Sequence, residues 1–136
     1  SFKTTPSIFD EAKDKLNDRI VHYGFCDQFK DYAQWLWKAD ILPVTSNQDF
    51  FGISIMEAIY CGAYPILPKR LTYPELLPEK HHDKHLYDNE NELYELVKDC
   101  IQNVVHNREK LNGDWVRKYD WRTMVNEYDK LFSSYL

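Results

Sequence analysis

The chain has 136 residues, a formal net charge of −5, 43% hydrophobic and 15% aromatic residues. That is enough apolar material for one domain with its own core, and the chain is too long to need disulfide or metal staples. No apolar run is long enough to span a bilayer and the N-terminus carries no signal-peptide core, while the odd, scattered set Cys26, Cys61 and Cys100 fits neither a disulfide framework nor a zinc site. A reducing, cytoplasmic setting is therefore expected.

In chain order, Phe9 to Leu16 reads as a helix with Phe9, Ala12 and Leu16 on one face. Arg19 to Tyr23 reads as a strand ending at Gly24. Phe29 to Ala39 follows as a helix whose apolar spacing is Tyr32, Ala33, Leu36 and Trp37. Ile41 to Thr45 is the next strand, and Pro43 within it points to an irregular or edge position. A short helix follows Gly52 and ends at Gly62, and the run Ala63 to Pro68 is a strand closed by proline. Lys69, Arg70 and Glu75 fall in the proline-rich loop after that strand. His81, His82, Asp83 and His85 read as a polar loop beside Pro78 rather than a metal cluster, since adjacent histidines seldom ligate one ion. Asn91 to Asn103 is a helix through Leu93, Leu96, Val97 and Cys100. The tail from Asn107 onward is helical and aromatic, with Trp115, Tyr119, Trp121, Tyr128 and Phe132 set either for this domain's own sheet or for a partner domain. Strands alternating with helices imply an α/β fold, a Rossmann-like parallel sheet with helices on both faces.

The stretch Asp49-Phe50-Phe51-Gly52-Ile53-Ser54-Ile55-Met56-Glu57-Ala58 carries the chemistry. Asp49 lies in the loop entering a helix and Glu57 in its second turn, so both carboxylates can reach one ligand near the helix N-terminus. The free N–H groups there favour an anion such as a diphosphate, and carboxylates accept hydrogen bonds from sugar hydroxyls. The spacing equally fits a plainer arrangement, with Asp49 capping a turn and Glu57 a solvated helix carboxylate.

The stretch resembles the acidic-x7-Glu motif of family-four retaining glycosyltransferases with the two-domain GT-B fold. It matches the pattern at Phe51, Gly52, Glu57, Ala58, Gly62 and Pro65 and departs at the first acid, where Asp49 replaces glutamate and shortens the reach by one methylene. Tyr60-Cys61-Gly62 and Tyr73-Pro74-Glu75 carry a narrower similarity to the tRNA-queuosine mannosyltransferase group, extending from Pro6 to the Trp121 region.

The resemblance implies that residues 1–136 are a C-terminal nucleotide-sugar-binding domain, part of the C-terminal half of a GT-B fold. The first βα unit and the N-terminal acceptor domain of that family have no counterpart here, so the fragment alone is expected to be inactive. It implies transfer of a hexose, mannose from GDP-mannose in the narrower group, to an acceptor such as queuosine in tRNA. The partners would be the nucleoside diphosphate sugar, the chain's own acceptor domain and, through that domain, tRNA. This chain has no clustered Lys and Arg run, so a basic RNA-binding surface is expected elsewhere. By the resemblance Glu57 takes the ribose hydroxyls, Asp49 with the backbone of Phe51, Gly52 and Ile53 holds the sugar, and Ser54 faces the diphosphate. Phe25 and Cys26 would line the base. From their place in the loop after the Tyr64–Leu67 strand, Lys69 or Arg70 can reach a phosphate with Glu75 orienting one of them, so that Lys69 and Glu75 join the donor site, or all three are solvated charges, the reading taken for Arg70. Neither Asp49 nor Glu57 is cast as a nucleophile, and neither metal nor cofactor is expected. A non-catalytic α/β module binding a nucleotide or a protein is the alternative. Dinucleotide and ATP chemistry are disfavoured, because the chain has neither Gly-x-Gly-x-x-Gly nor a phosphate loop.

Overall fold

The computed structural model of the protein describes residues 7–104 and 113–135. Its frame is a three-stranded parallel sheet in the order β1 (Ile41–Pro43), β2 (Tyr64–Pro68), β3 (Leu86–Tyr87). The register pairs Ile41 with Tyr64 and Pro43 with Ile66 on one side of β2, and Leu67 with Leu86 on the other. Six helices accompany it among the described residues: α1 (Ser7–Leu16), α2 (Phe29–Lys38), α3 (Ile53–Tyr60), α4 (His82–His85), α5 (Glu90–Gln102) and α6 (Trp121–Ser133).

Because successive strand residues point to opposite faces, the sheet builds a core on each side. Leu42, Leu67 and Leu86 face α3 and join Ile55, Met56, Ile59, Tyr73, Leu76 and Val116. Their neighbours Ile41, Ile66 and Tyr87 face the other way, onto Leu93, Leu96, Val97 and Cys100 of α5. The expected parallel sheet with helices on both faces is thus present.

The prolines sit where the ladder needs no donor. Val44 N–H bonds to Ile66 O at 2.9 Å, so the alternation places Pro43's missing N–H on the outer edge of β1, as its presence in a strand suggested. The opposite alternation in β2, shown by Lys69 N–H bonding to Tyr87 O at 2.8 Å, turns Pro65 toward β3 before that strand has begun. There the Nδ1–H of His85 takes the place of a strand and donates to Pro65 O at 2.7 Å.

Helix α3 ends as the glycine predicts. Gly62 has φ +93°, Ala63 N–H bonds to Ala58 O and Gly62 N–H to Ile59 O, both at 3.0 Å, which is the Schellman arrangement. The chain can then turn directly into β2. Helix α5 starts on an asparagine cap: Asn89 Oδ1 accepts from the N–H groups of Asn91 and Glu92, while Glu92 reaches back past the cap to accept from the N–H of Asp88 at 2.7 Å.

The structure corrects several expectations. Arg19–Tyr23 is not a strand: α1 runs on into a 3-10 turn over Asn17–Arg19, and Ile20 N–H bonds back to Leu16 O at 3.1 Å. Val21 is 81% exposed, so no neighbour draws the segment into the sheet. Strand β3 occupies a place where no strand was expected, and His81–His85 is a 3-10 turn followed by α4 rather than a loop. Of the tail expected to be helical from Asn107 onward, residues 107–112 lie outside the described ones. Trp115 and Tyr119 precede α6 in turns and pack on the α3-side core, whereas Trp121 and Phe132 of α6 are largely exposed.

Candidate functional site

The loop from β1 to α3 leaves the carboxyl end of the parallel sheet, where ligands bind in open α/β folds. Within it Asp49 Oδ1 accepts from the N–H groups of Gly52 at 2.8 Å and Phe51 at 3.2 Å, a side-chain turn that closes the loop onto the helix start. Gly52 sits at the N-cap with φ +74°, a left-handed conformation that costs glycine nothing. A Cβ at this position would lie 2.7 Å from Leu76 Cδ1, so the residue must be small as well as flexible.

The segment after β2 latches this loop. Arg70 Nη2 donates to Ser46 O at 3.2 Å, Thr72 Oγ1 donates to Asp49 O at 3.3 Å, and the phenol of buried Tyr73 lies 2.8 Å from Ser46 Oγ. Arg70, expected to be a solvated charge, is therefore exposed but tied to the acidic loop.

Asp49, Phe51, Gly52, Ile53, Ser54 and Glu57 line one groove of about 390 Å³ over the start of α3. The structure thus gathers six of the expected site residues around a single space. Both bonds to Asp49 fall on Oδ1, which is the turn-forming arrangement, and acceptor capacity remains on the carboxylate. Phe25 and Cys26 lie apart from this group. They line a cleft of about 530 Å³ on the far side of α2, with His22, Asp27 and Trp35, and no strand leads into their loop. Lys69 and Glu75 are also outside the groove lining. Lys69 pairs with Asp88 at 3.5 Å with both partners well exposed, and Glu75 belongs to the 3-10 turn Tyr73–Leu76.

Glu57 also borders a second, larger groove of about 570 Å³, whose walls include Tyr32 and Leu36 of α2, Met56 of α3 and Tyr119. Across it Tyr32 Oη donates to Glu57 Oε2 at 2.8 Å. Burial, then this hydrogen bond and the carboxylate's charge, push the Tyr32 phenol up to about 12, so it is a donor throughout the physiological range. Burial first and Glu57 second also raise the Cys61 thiol. Tyr32 escaped the sequence reading because its spacing marked it simply as part of an apolar helix face.

The histidines have structural partners. His82 Nε2 lies 3.0 Å from Pro74 O and 3.2 Å from Leu77 O, while His81 stacks on Trp115 with ring centroids 4.6 Å apart. His85 is 3% exposed and stacks on Tyr64. Among the described residues no three or more His, Cys, Asp or Glu side chains are grouped to hold a metal ion, and no helix is long and apolar enough to cross a membrane.

No family model matches the chain, and no solved structure matches it. A tRNA-queuosine alpha-mannosyltransferase of Drosophila melanogaster is 34% identical to it over 93 residues, which is 68% of this chain and 23% of that relative. The chain therefore spans less than a quarter of the relative's length.

Proposed function

We propose that the chain is the nucleotide-sugar-binding part of a retaining glycosyltransferase. The observation that carries this reading is the convergence of Asp49, Ser54 and Glu57 with the start of α3 around one groove. The similarity to a mannosyltransferase supports the reaction class.

In this reading Glu57 accepts hydrogen bonds from the donor ribose, and Asp49, its Oδ1 braced by the Phe51 and Gly52 N–H groups, holds the hexose through its remaining acceptors together with the backbone at Ile53. Ser54 and the free N–H groups of the first turn of α3 face the diphosphate. As the diphosphate leaves, negative charge builds on its oxygens, and preorganised amides stabilise it without reorganising. The carboxylates grip different parts of one donor, unlike the paired acids of a glycosidase that flank the scissile bond. The donor is GDP-mannose and the acceptor queuosine in tRNA, met by an acceptor domain outside these residues. The acidic balance of this chain agrees with an RNA-binding surface that lies elsewhere.

Calorimetric titration of the full-length protein with GDP-mannose, and with UDP-glucose as competitor, tests the reading. Binding of GDP-mannose that is lost in Glu57→Ala is the expected result. A preference for UDP-glucose would keep the transferase and discard the mannose donor. Binding of neither would return the chain to a non-catalytic module.

A further inference from the structure

We propose that Tyr32 is a positioning residue of the donor site, holding the Glu57 carboxylate in the orientation that receives the ribose hydroxyls. The inference rests on the nucleotide-sugar reading above and adds to it a residue from a different helix.

Glu57 stands on α3 between two openings, the groove of about 390 Å³ over the helix start and the apolar groove of about 570 Å³ beside α2. A glutamate on a helix surface has several rotamers, and some of them would carry this carboxylate from one opening toward the other. The 2.8 Å bond from Tyr32, which lines the larger groove and not the smaller, removes that freedom and holds Oε2 on the larger groove's side, so the ribose is received where the two openings meet at Glu57. An ionised carboxylate can only accept, so the phenol is the donor, and its upward shift to about 12 keeps it one. Oε2 is engaged by Tyr32, leaving Oε1 and the second lone pair of Oε2 as acceptors in a fixed plane. Two acceptors side by side suit a vicinal diol, which presents two O–H donors together.

The placement of Tyr32 also suits this role. Helix α2 buries no residue fully and leans on α3. The phenol comes from 25 positions away in sequence and meets the carboxylate at a partly buried point. A carboxylate serving only as a solvated helix charge would have no fixed phenol.

The test compares two donors, the intact nucleoside diphosphate sugar and its 2′,3′-dideoxyribose analogue, in the full-length enzyme. Tyr32→Phe removes the hydroxyl and keeps the ring. Loss of a hydrogen bond to a charged group predicts about a tenfold rise in KM for the intact donor with kcat held within a factor of about two. Affinity for the dideoxy analogue, which has no diol to offer Glu57, is expected to be unchanged. Equal weakening of both donors, or of neither, would overturn the proposal, since a purely structural pin cannot distinguish them. Glu57→Ala run alongside separates the two levels of inference. If it leaves donor affinity intact, the nucleotide-sugar reading falls and the role of Tyr32 with it. If Glu57→Ala weakens binding and Tyr32→Phe does not, the positioning role alone is refuted.

Discussion

Gly52→Ala is the sharpest test of how the acidic loop is built. At φ +74° an alanine pays the left-handed penalty of about 1 kcal/mol or slightly more. Its Cβ would also stand 2.7 Å from Leu76 Cδ1, far inside contact distance, with Leu76 Cδ2 and Ile55 Cδ1 at 3.5 and 3.6 Å. Leu76 is 7% exposed and belongs to the α3-side core, so it can yield only by leaving its rotamer, at a further cost of about 1 kcal/mol. The sum is about 2 kcal/mol. Gly24→Ala is the matched control: its φ is +99°, yet a Cβ there meets nothing within 4 Å, so it should cost the backbone share alone, about 1 kcal/mol. Urea unfolding of both variants beside the parent, at equal m-values, reads the difference directly. Equal destabilisation by the two would show that Leu76 does not confine position 52. No loss in Gly52→Ala would refute the turn itself.

Burial lowers the His85 imidazole to about 4 from an ordinary 6.5, against the smaller upward pull of its bond to Pro65 O. The unfolded chain therefore binds the proton first, and stability falls as pH drops from about 6.5 to about 4, by up to about 3 kcal/mol. A denaturation series across that window checks it, and His85→Asn, a neutral side chain that can still donate, should flatten the slope. Asn89→Ala removes the cap that serves two amides of α5 and should cost about 1 kcal/mol by chemical denaturation. Glycine at 89 should recover most of that loss.

The elements that were legible in the sequence are those with a period long enough to read. Helices α2 and α5 carry apolar positions at helical spacing, and α3 is bracketed by Gly52 and Gly62, whose positive φ values set both its ends. Strand β2 was legible from its apolar run and terminal proline. Arg19–Tyr23 has β-type composition but, among the described residues, no strand beside it to exchange hydrogen bonds, and composition cannot supply a partner. Strand β3 has two residues, too few for any alternation to register. His85 looked like a loop histidine because neighbouring polar residues hid what only the three-dimensional arrangement reveals, an unmatched carbonyl at Pro65. At the site, local spacing placed Asp49 and Glu57 around one groove. The contributions of Tyr32 and of the Arg70–Tyr73 latch come from 23 to 27 positions away and leave no local signal.

The alternation along β2 has a consequence for how the molecule breathes. Ile66 and Leu67 are adjacent in the chain, yet they serve cores that share no residue. Opening either layer alone would bare one face of a strand still bonded on both edges, which favours joint opening of the helices above and below the sheet. The amides of Ile66 and Leu67 are therefore expected to exchange with solvent through that joint opening and to be among the best protected of the described residues, which native-state hydrogen exchange would show. The helix α1, with no buried residue, can fray alone and report nothing of it. A strand of five residues is thus the expected seat of cooperativity, coupling the layer that supports the acidic groove to the layer of α5.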